Sequence, residues 1–309
     1  MYGMPGGSPT IAWLGSACVW PRLSAMIGAM KTAAAETAPL PEGLTQRVLR
    51  CFGLPAIPPP SLNTLRLLLD RYTRTTPWES ASRIARRAQH TDAADCALLG
   101  EAFWESHFMI GTGGTCYESN YAFFALLRRI GYDGYLTIND MGSAIGCHSA
   151  IVVLLDGRKH LVDVGLPLHA ILPLREGLQS TAESAFMRYT AKPLAEGIFE
   201  IWRSVPRDEP VFQLNDKPVA EAKYRAVTLH DYRHDGGQFL NEVVIRKVLS
   251  DQLWRFNSSE RPLRLQQFVA GARRDHMLGD DPASEVADKF GIASDVVAEA
   301  LAIIDVVRN

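Results

Sequence analysis

The sequence predicts an α+β protein, and three observations point there. Apolar residues recur at helical spacing through the N-terminal third, the texture turns β-rich after Gly131, and helical periodicity returns in part toward the C-terminus. At 309 residues the chain is long for one compact domain. A prior of roughly 150 residues per domain allows about two structural units, or one core with subdomains. Hydrophobic residues make up 47% and charged residues 21%, the balance of a soluble globular protein with ample apolar surface to bury.

Residues 1–38 are expected to form a disordered or extended lead-in. The stretch 11–20 is mildly apolar, but no basic region precedes it and Gly15 and Ser16 interrupt it, unlike a secretion signal. No apolar run approaches the roughly 18 residues of a membrane span. Met26 and Met30 are candidate native starts. Helical spacing then appears at 44–50 and 62–72, separated by a Pro-rich joint at 55–60 that cannot continue a helix. A further helix is expected over 93–108, before the glycine turn 111–114.

After Gly131, strands are expected at 135–138, 149–155 and 160–164, the last two joined by Asp156-Gly157. That dipeptide between apolar runs is a strong hairpin signal. Short, turn-broken stretches over 199–227 read as more strands, the chain beyond Asn241 as partly helical, and 287–307 as one or two closing helices.

Composition excludes several functions. With 32 basic against 34 acidic side chains the net charge is −2, so no positive field is available for nucleic acid or an anionic membrane. Five cysteines, at 18, 51, 96, 116 and 147, form neither an even disulfide framework nor a CxxC pair, which favours a reducing, cytoplasmic setting without structural zinc. His230 and His234, flanked by Asp231 and Asp235, suggest a metal site only weakly, because Gly236-Gly237 follows and favours a polar turn. No metal is expected.

The strongest chemical signal is at Cys116. The segment 111–120 is a tight turn opening a helix that is apolar on nearly every side, with Gly131 suited to its C-terminal cap. Thr115 and Glu118 stand in capping-box relation, which makes Thr115 the N-cap and puts Cys116 in the first turn. There the helix dipole and unpaired N–H groups favour a thiolate, and the glycines let a substrate carbonyl approach backbone donors.

A cysteine nucleophile needs a base and an orienter. If Asp156-Gly157 is a two-residue turn, Leu155 faces Arg158 and Ala150 faces Asp163. His148 shares a face with Ala150, so Asp163 becomes its diagonal neighbour, within reach of the imidazole. A three-residue loop would put Asp163 on the opposite face. Cys147, by the same alternation, points away from the face of His148.

With these residues in view, the chain resembles the arylamine N-acetyltransferase family. The family's RGGxCxExN element is similar to residues 112–120, its H(S/L)A strand to His148-Ser149-Ala150, and its DVGFG turn to Asp163-Val164-Gly165-Leu166-Pro167. Arg50-Cys51-Phe52-Gly53 and Pro77-Trp78-Glu79-Ser80 are similar to its R-I-G and PFEN elements, in the same order. Thr112 stands where the motif has arginine, and Pro167 where the turn has its final glycine.

The resemblance implies a helical subdomain carrying the nucleophile (39–131), a central antiparallel β-barrel carrying the histidine and aspartate (132–228), and a C-terminal α/β lid (229–309), around a cysteine-proteinase-like core. It implies Cys116, His148 and Asp163 as the catalytic residues of a ping-pong acyl transfer from a thioester to a small-molecule amine. Thr112, Gly113, Gly114, Thr115 and Tyr117 on one side, and Gly165, Leu166 and Pro167 on the other, are the expected substrate contacts. Arg50 and Glu79 are expected to form a buried ion pair. No cofactor is expected to be tightly bound; the co-substrate is acyl-CoA or an acyl carrier protein. Between 168 and 227 no glycine-rich phosphate cradle appears. Two alternatives share the chemistry: an amide synthase taking its acyl chain from a carrier protein, and a cysteine hydrolase of transglutaminase or protease type.

Overall fold

A computed structural model describes residues 37–205, 207–233, 239–269 and 272–308. Met26, Met30, His234 and Asp235 lie outside them, as does the lead-in up to residue 36. Helix α1 (Glu42–Cys51) turns through the proline joint into α2 (Leu62–Thr75), whose start is capped by Ser61 accepting from the Thr64 N–H. A two-residue strand β1 (Trp78–Glu79) leads into α3 (Ala81–Gln89). The helix expected over 93–108 is two, α4 (Ala93–Cys96) and α5 (Glu101–Ile110), because Gly100 adopts φ 61° and breaks the run. Helix α6 (Cys116–Ile130) begins at the cysteine, is buried along nearly its whole length and ends at Gly131 in the left-handed region, as the sequence predicts.

Eight strands follow the helices: β2 (Asp133–Met141), β3 (Ala144–Leu155), β4 (Arg158–Val162), β5 (Leu172–Leu174), β6 (Ser180–Glu183), β7 (Arg188–Ala195), β8 (Ile198–Arg203) and β9 (Glu209–Asn215). Their antiparallel order is β5-β4-β3-β2-β9-β8-β7-β6. The two edge strands approach where Ser180 donates to the Pro173 carbonyl, so the sheet is a nearly closed barrel. Strand alternation sorts β3 and β4 between two cores: Ala150, Val152 and Leu161 fill the barrel, while Ile151, Val153 and Val162 pack against α6. The expected α+β class is the observed one.

Helix α7 (Glu221–Arg233) follows, then strands β10 (Val244–Leu249), β11 (Gln252–Asn257), β12 (Arg264–Val269) and β13 (Ala272–Met277), then α8 (Pro282–Phe290) and α9 (Ser294–Arg308). Here two expectations are corrected. Strands end at Asn215, and α7 is helical, with its buried Tyr224, Val227, Thr228 and Tyr232 at helical spacing. The partly helical reading beyond Asn241 fails over β10 to β13, a meander whose fifth strand is β1, far away in sequence. Trp78 pairs with Arg246 and Glu79 with Ile245, while Trp78 bridges Gly114 on its other side.

Candidate active site

Asp156 and Gly157 both have positive φ, 51° and 68°, and Leu155 pairs with Arg158, so the turn has the two residues that the register argument requires. The last pair of that ladder is Ile151 with Val162. One residue on, Asp163 leaves the ladder and its Oδ2 meets His148 Nε2 at 2.7 Å, with both side chains buried. The imidazole lies against Phe212 from across the barrel, ring centroids 4.6 Å apart.

The other oxygen of Asp163 is held as firmly. Its Oδ1 accepts from Gly165 N (2.8 Å), Leu166 N (3.0 Å) and Asn120 Nδ2 (3.0 Å). Asn120 also donates to the Ser149 carbonyl and accepts from Val164 N, so one buried amide ties α6, β3 and the Asp163 turn together. Asn120 was visible in the motif, but its function as a clamp was not, because its three partners come from two other elements.

Beyond the end of β4, the edge of β3 around residues 147–149 is met by the start of α6. The Cys116 Sγ–H points at the Cys147 carbonyl oxygen, 3.7 Å away. Gly165 lies against this contact so closely that a Cβ there would come within 2.4 Å of Cys116 Cα and 2.5 Å of Asn120 Nδ2. Only glycine lets the turn carrying Asp163 seat on α6 at Cys116. Cys147 follows the strand's alternation and is buried on the α6 side, opposite to His148.

Three expectations about this end of α6 are corrected. The capping box does not form: Thr115 is the N-cap without a side-chain bond, and Glu118 is drawn sideways to Arg86 (2.9 Å), Leu98 N (2.9 Å) and Tyr232 OH (2.7 Å). The Arg50–Glu79 ion pair is absent, since Arg50 is exposed at the end of α1 while Glu79 is fully buried and accepts from Ser82 N and Gly113 N. The Cys116 thiol is pushed up, not down: burial dominates, with negative charge at Asp231, Cys147 and Asp163 adding to it against one backbone hydrogen bond from Ser149. The helix end is outweighed because Cys116 is only 6% exposed.

The expected substrate contacts divide. Thr112 is fully buried and bonded to Ser106, with its carbonyl held by His107, so it faces no open surface. Gly113 and Gly114 serve packing: a Cβ on Gly113 would meet the Pro77 carbonyl at 1.7 Å, and one on Gly114 would meet Glu118. Thr115 is buried, and Tyr117 is buried with its hydroxyl donating to the Gly146 carbonyl. Leu166 and Pro167, by contrast, line a cleft that opens beyond the Asp163 turn.

The sequence did not reveal α7's part in the site. Tyr224 OH donates to the Tyr117 carbonyl (2.8 Å) and shares a hydrogen bond with Ser149 Oγ (2.6 Å), and Asp231 pairs with the buried Arg83. Among the described residues no side-chain cluster could hold a metal ion, and no helix is long and apolar enough to cross a membrane.

The fold, with a helix-borne cysteine that meets the edge of β3 and a buried histidine–aspartate pair on the barrel, accompanies a match of the family model described as N-acetyltransferase to residues 61–260. The chain belongs to the arylamine N-acetyltransferase family, whose activity is acyl transfer to amines. The Mycobacterium marinum arylamine N-acetyltransferase in complex with CoA is similar in fold, with TM-score 0.70 at 21% identity over 84% of this chain and 97% of that one. The Salmonella typhimurium enzyme gives 0.71 at 13%, over 85% and 99%. A Bacillus cereus arylamine N-acetyltransferase, described as having a unique Cys-His-Glu catalytic triad, gives 0.67 at 18%, over 81% and 98%. No curated protein matches the sequence. The carrier-protein amide synthase and the cysteine hydrolase are not favoured by these matches.

Proposed function

We propose that the chain transfers an acyl group from acyl-CoA to an arylamine through a thioester on Cys116, with His148 as base and Asp163 as its orienter. The observation that carries this reading is the meeting of Cys116, the first residue of α6, with the edge of β3 beside the His148–Asp163 hydrogen bond. Asp163 accepting from Nε2–H leaves His148 Nδ1 with the lone pair needed to take a proton. Burial favours the neutral thiol at rest. The proton therefore passes to His148 as sulfur attacks the donor carbonyl, and the first-turn N–H groups of α6 stabilise the oxyanion. CoA leaves as a thiol carrying that proton. The amine then attacks the acyl-Cys116 carbonyl, His148 takes the amine proton, and the cysteine is released with the amide as product.

Intact mass spectrometry after brief exposure to acetyl-CoA tests the first half-reaction. The expected result is one acetyl adduct that hydrolyses slowly or is discharged by an arylamine, and that Cys116→Ala eliminates. A protein left unmodified by acyl-CoA would sink the reading. In the resting enzyme, alkylation of Cys116 by iodoacetamide should keep accelerating into the alkaline range rather than level off near neutrality; a plateau below pH 7 contradicts the buried-thiol account.

A further inference from the structure

The loop that delivers Cys116 carries no positive charge of its own. From Gly111 to Asn120 there is no lysine or arginine, and the one acidic residue there, Glu118, has a fully buried side chain. The cation that meets it comes from α3. Arg86 Nη2 donates to Glu118 Oε1 at 2.9 Å and to Tyr232 OH of α7 at 3.0 Å, and that hydroxyl donates to Glu118 Oε1 in turn. Glu118 lies two residues after Cys116. Its side chain rests on Gly114, where a Cβ would come within 2.9 Å of Oε2.

The same guanidinium reaches the other flank of the cysteine. Arg86 Nη1 donates to Ser82 Oγ at 2.9 Å, the Ser82 hydroxyl donates to Glu79 Oε1, and that oxygen accepts from Gly113 N at 3.2 Å. Gly113 lies three residues before Cys116. Arg86 Nε is fixed to the Cys96 carbonyl at 2.7 Å, so one planar group spends its donors on α3, α4, α6 and α7 together. Burial pushes the Glu79 carboxyl up, with Ser82 and Arg86 pulling against it and Glu118 adding to the rise. Two buried acids therefore share one cation, and taking it away leaves both uncompensated.

We propose that Arg86 is a positioning residue for acyl transfer: through Glu118 on one side, and through Ser82, Glu79 and Gly113 on the other, it sets the first turn of α6 so that Cys116 meets the edge of β3. The inference rests on the proposed acylation of Cys116. A lysine at this place keeps the charge, but its single nitrogen cannot reproduce the fork that serves both flanks.

Steady-state kinetics and thermal melting of the full chain, with acetyl-CoA and aniline, read this division. Arg86→Gln should lower kcat roughly a hundredfold and leave both KM values within about twofold, because the cysteine is displaced while substrate contacts elsewhere remain. Arg86→Lys should recover melting temperature more fully than kcat, which stays at least about tenfold below the wild type. Asp216→Asn, which weakens the Lys159–Asp216 pair at the end of β9, is the stability control, and its kcat should stay within about twofold. A kcat that only tracks melting temperature across these variants, or KM values that rise as kcat falls, overturns the proposal. If Arg86→Gln fails to fold, Ser82→Ala cuts one relay without stranding a charge; it should lower kcat several-fold, and an unchanged kcat overturns the proposal. Alkylation of Cys116 by iodoacetamide, read by mass spectrometry below the melting transition, needs no acyl donor. In the wild type it should keep accelerating into the alkaline range, whereas in Arg86→Gln the released thiol should level off near the ordinary value of about 8.5. A changed profile in a protein that acetyl-CoA never acylates upholds the positioning and sinks the acyl-transfer reading; an unchanged profile overturns the positioning itself.

Discussion

The turn from Asp163 to Leu168 has two faces of opposite character. On the inner face, both carboxylate oxygens of Asp163 are fully engaged by His148, Asn120 and two backbone N–H groups, and Gly165 seats against Cys116 without room for a methyl group. On the outer face, a few residues away, the lining combines arginines, a lysine and buried polar atoms without partners. The inner face holds one geometry through these bonds; the outer face leaves buried polar atoms without partners in the protein.

The largest effect should come from breaking the inner face at its tightest point. Gly165→Ala forces a Cβ into Cys116 and Asn120. It should reduce acyl transfer to background and cost about 3 kcal/mol of stability, measured by turnover and denaturant unfolding. Gly43→Ala, in α1 with nothing near its Cβ, is the matched control and should be neutral or slightly stabilising. Normal activity in Gly165→Ala would mean that the turn seats differently.

Asn120→Ala comes next, because it strands the Ser149 carbonyl, the Val164 N–H and one oxygen of Asp163. A loss of about 2–4 kcal/mol and roughly a hundredfold fall in kcat/KM are expected, with a shifted pH profile as the sign that His148 has lost its orientation. Tyr224→Phe removes one hydroxyl joining α7 to Ser149 and the Tyr117 carbonyl. Its cost should be about 1 kcal/mol, with kcat falling a few-fold and KM unchanged.

An effect on stability alone, without one on turnover, sharpens the outer face. Enclosure pushes His169 down to about 4. The unfolded chain therefore takes up a proton near its ordinary value of about 6.5 while the folded protein does not. Stability that is fully present above pH 6.5 should decline as pH falls toward 4, by about 1–2 kcal/mol from this residue, and His169→Gln should flatten that part of a melting-temperature profile.

How much of this was legible in the sequence depended on the distance over which each signal acts. The Asp156-Gly157 turn is local, and its two residues fix by parity which side chains share a face over the next seven positions; His148 and Asp163 followed from it. Helix α6 was equally local, from Gly111 to Gly131. The capping box was not, although its spacing was correct, because Arg86 lies thirty-two residues from Glu118 and offers a full charge where the box offers a backbone N–H. The five-stranded sheet was unreadable for the same reason: its partner strand β1 is two residues long and lies far upstream. The outer face draws on Thr76, Trp78, His169, Arg203 and Arg246, which no window of sequence brings together. For α7 the signal was present, in the spacing of Tyr224, Val227 and Thr228, and the expectation of strands through 227 obscured it.

The double pairing of Trp78 has a consequence for the order of assembly. One edge of its short strand rests on Gly114, two residues before Cys116, and the other on Arg246 of β10. A chain emerging from the ribosome N-terminus first cannot finish the support of the cysteine loop until residue 246 and its meander have been made, long after α6 and the barrel are available to fold. The Cys116 thiol is thus fixed in place among the last events of synthesis, and a chain cut short before β10 would hold the cysteine without that frame.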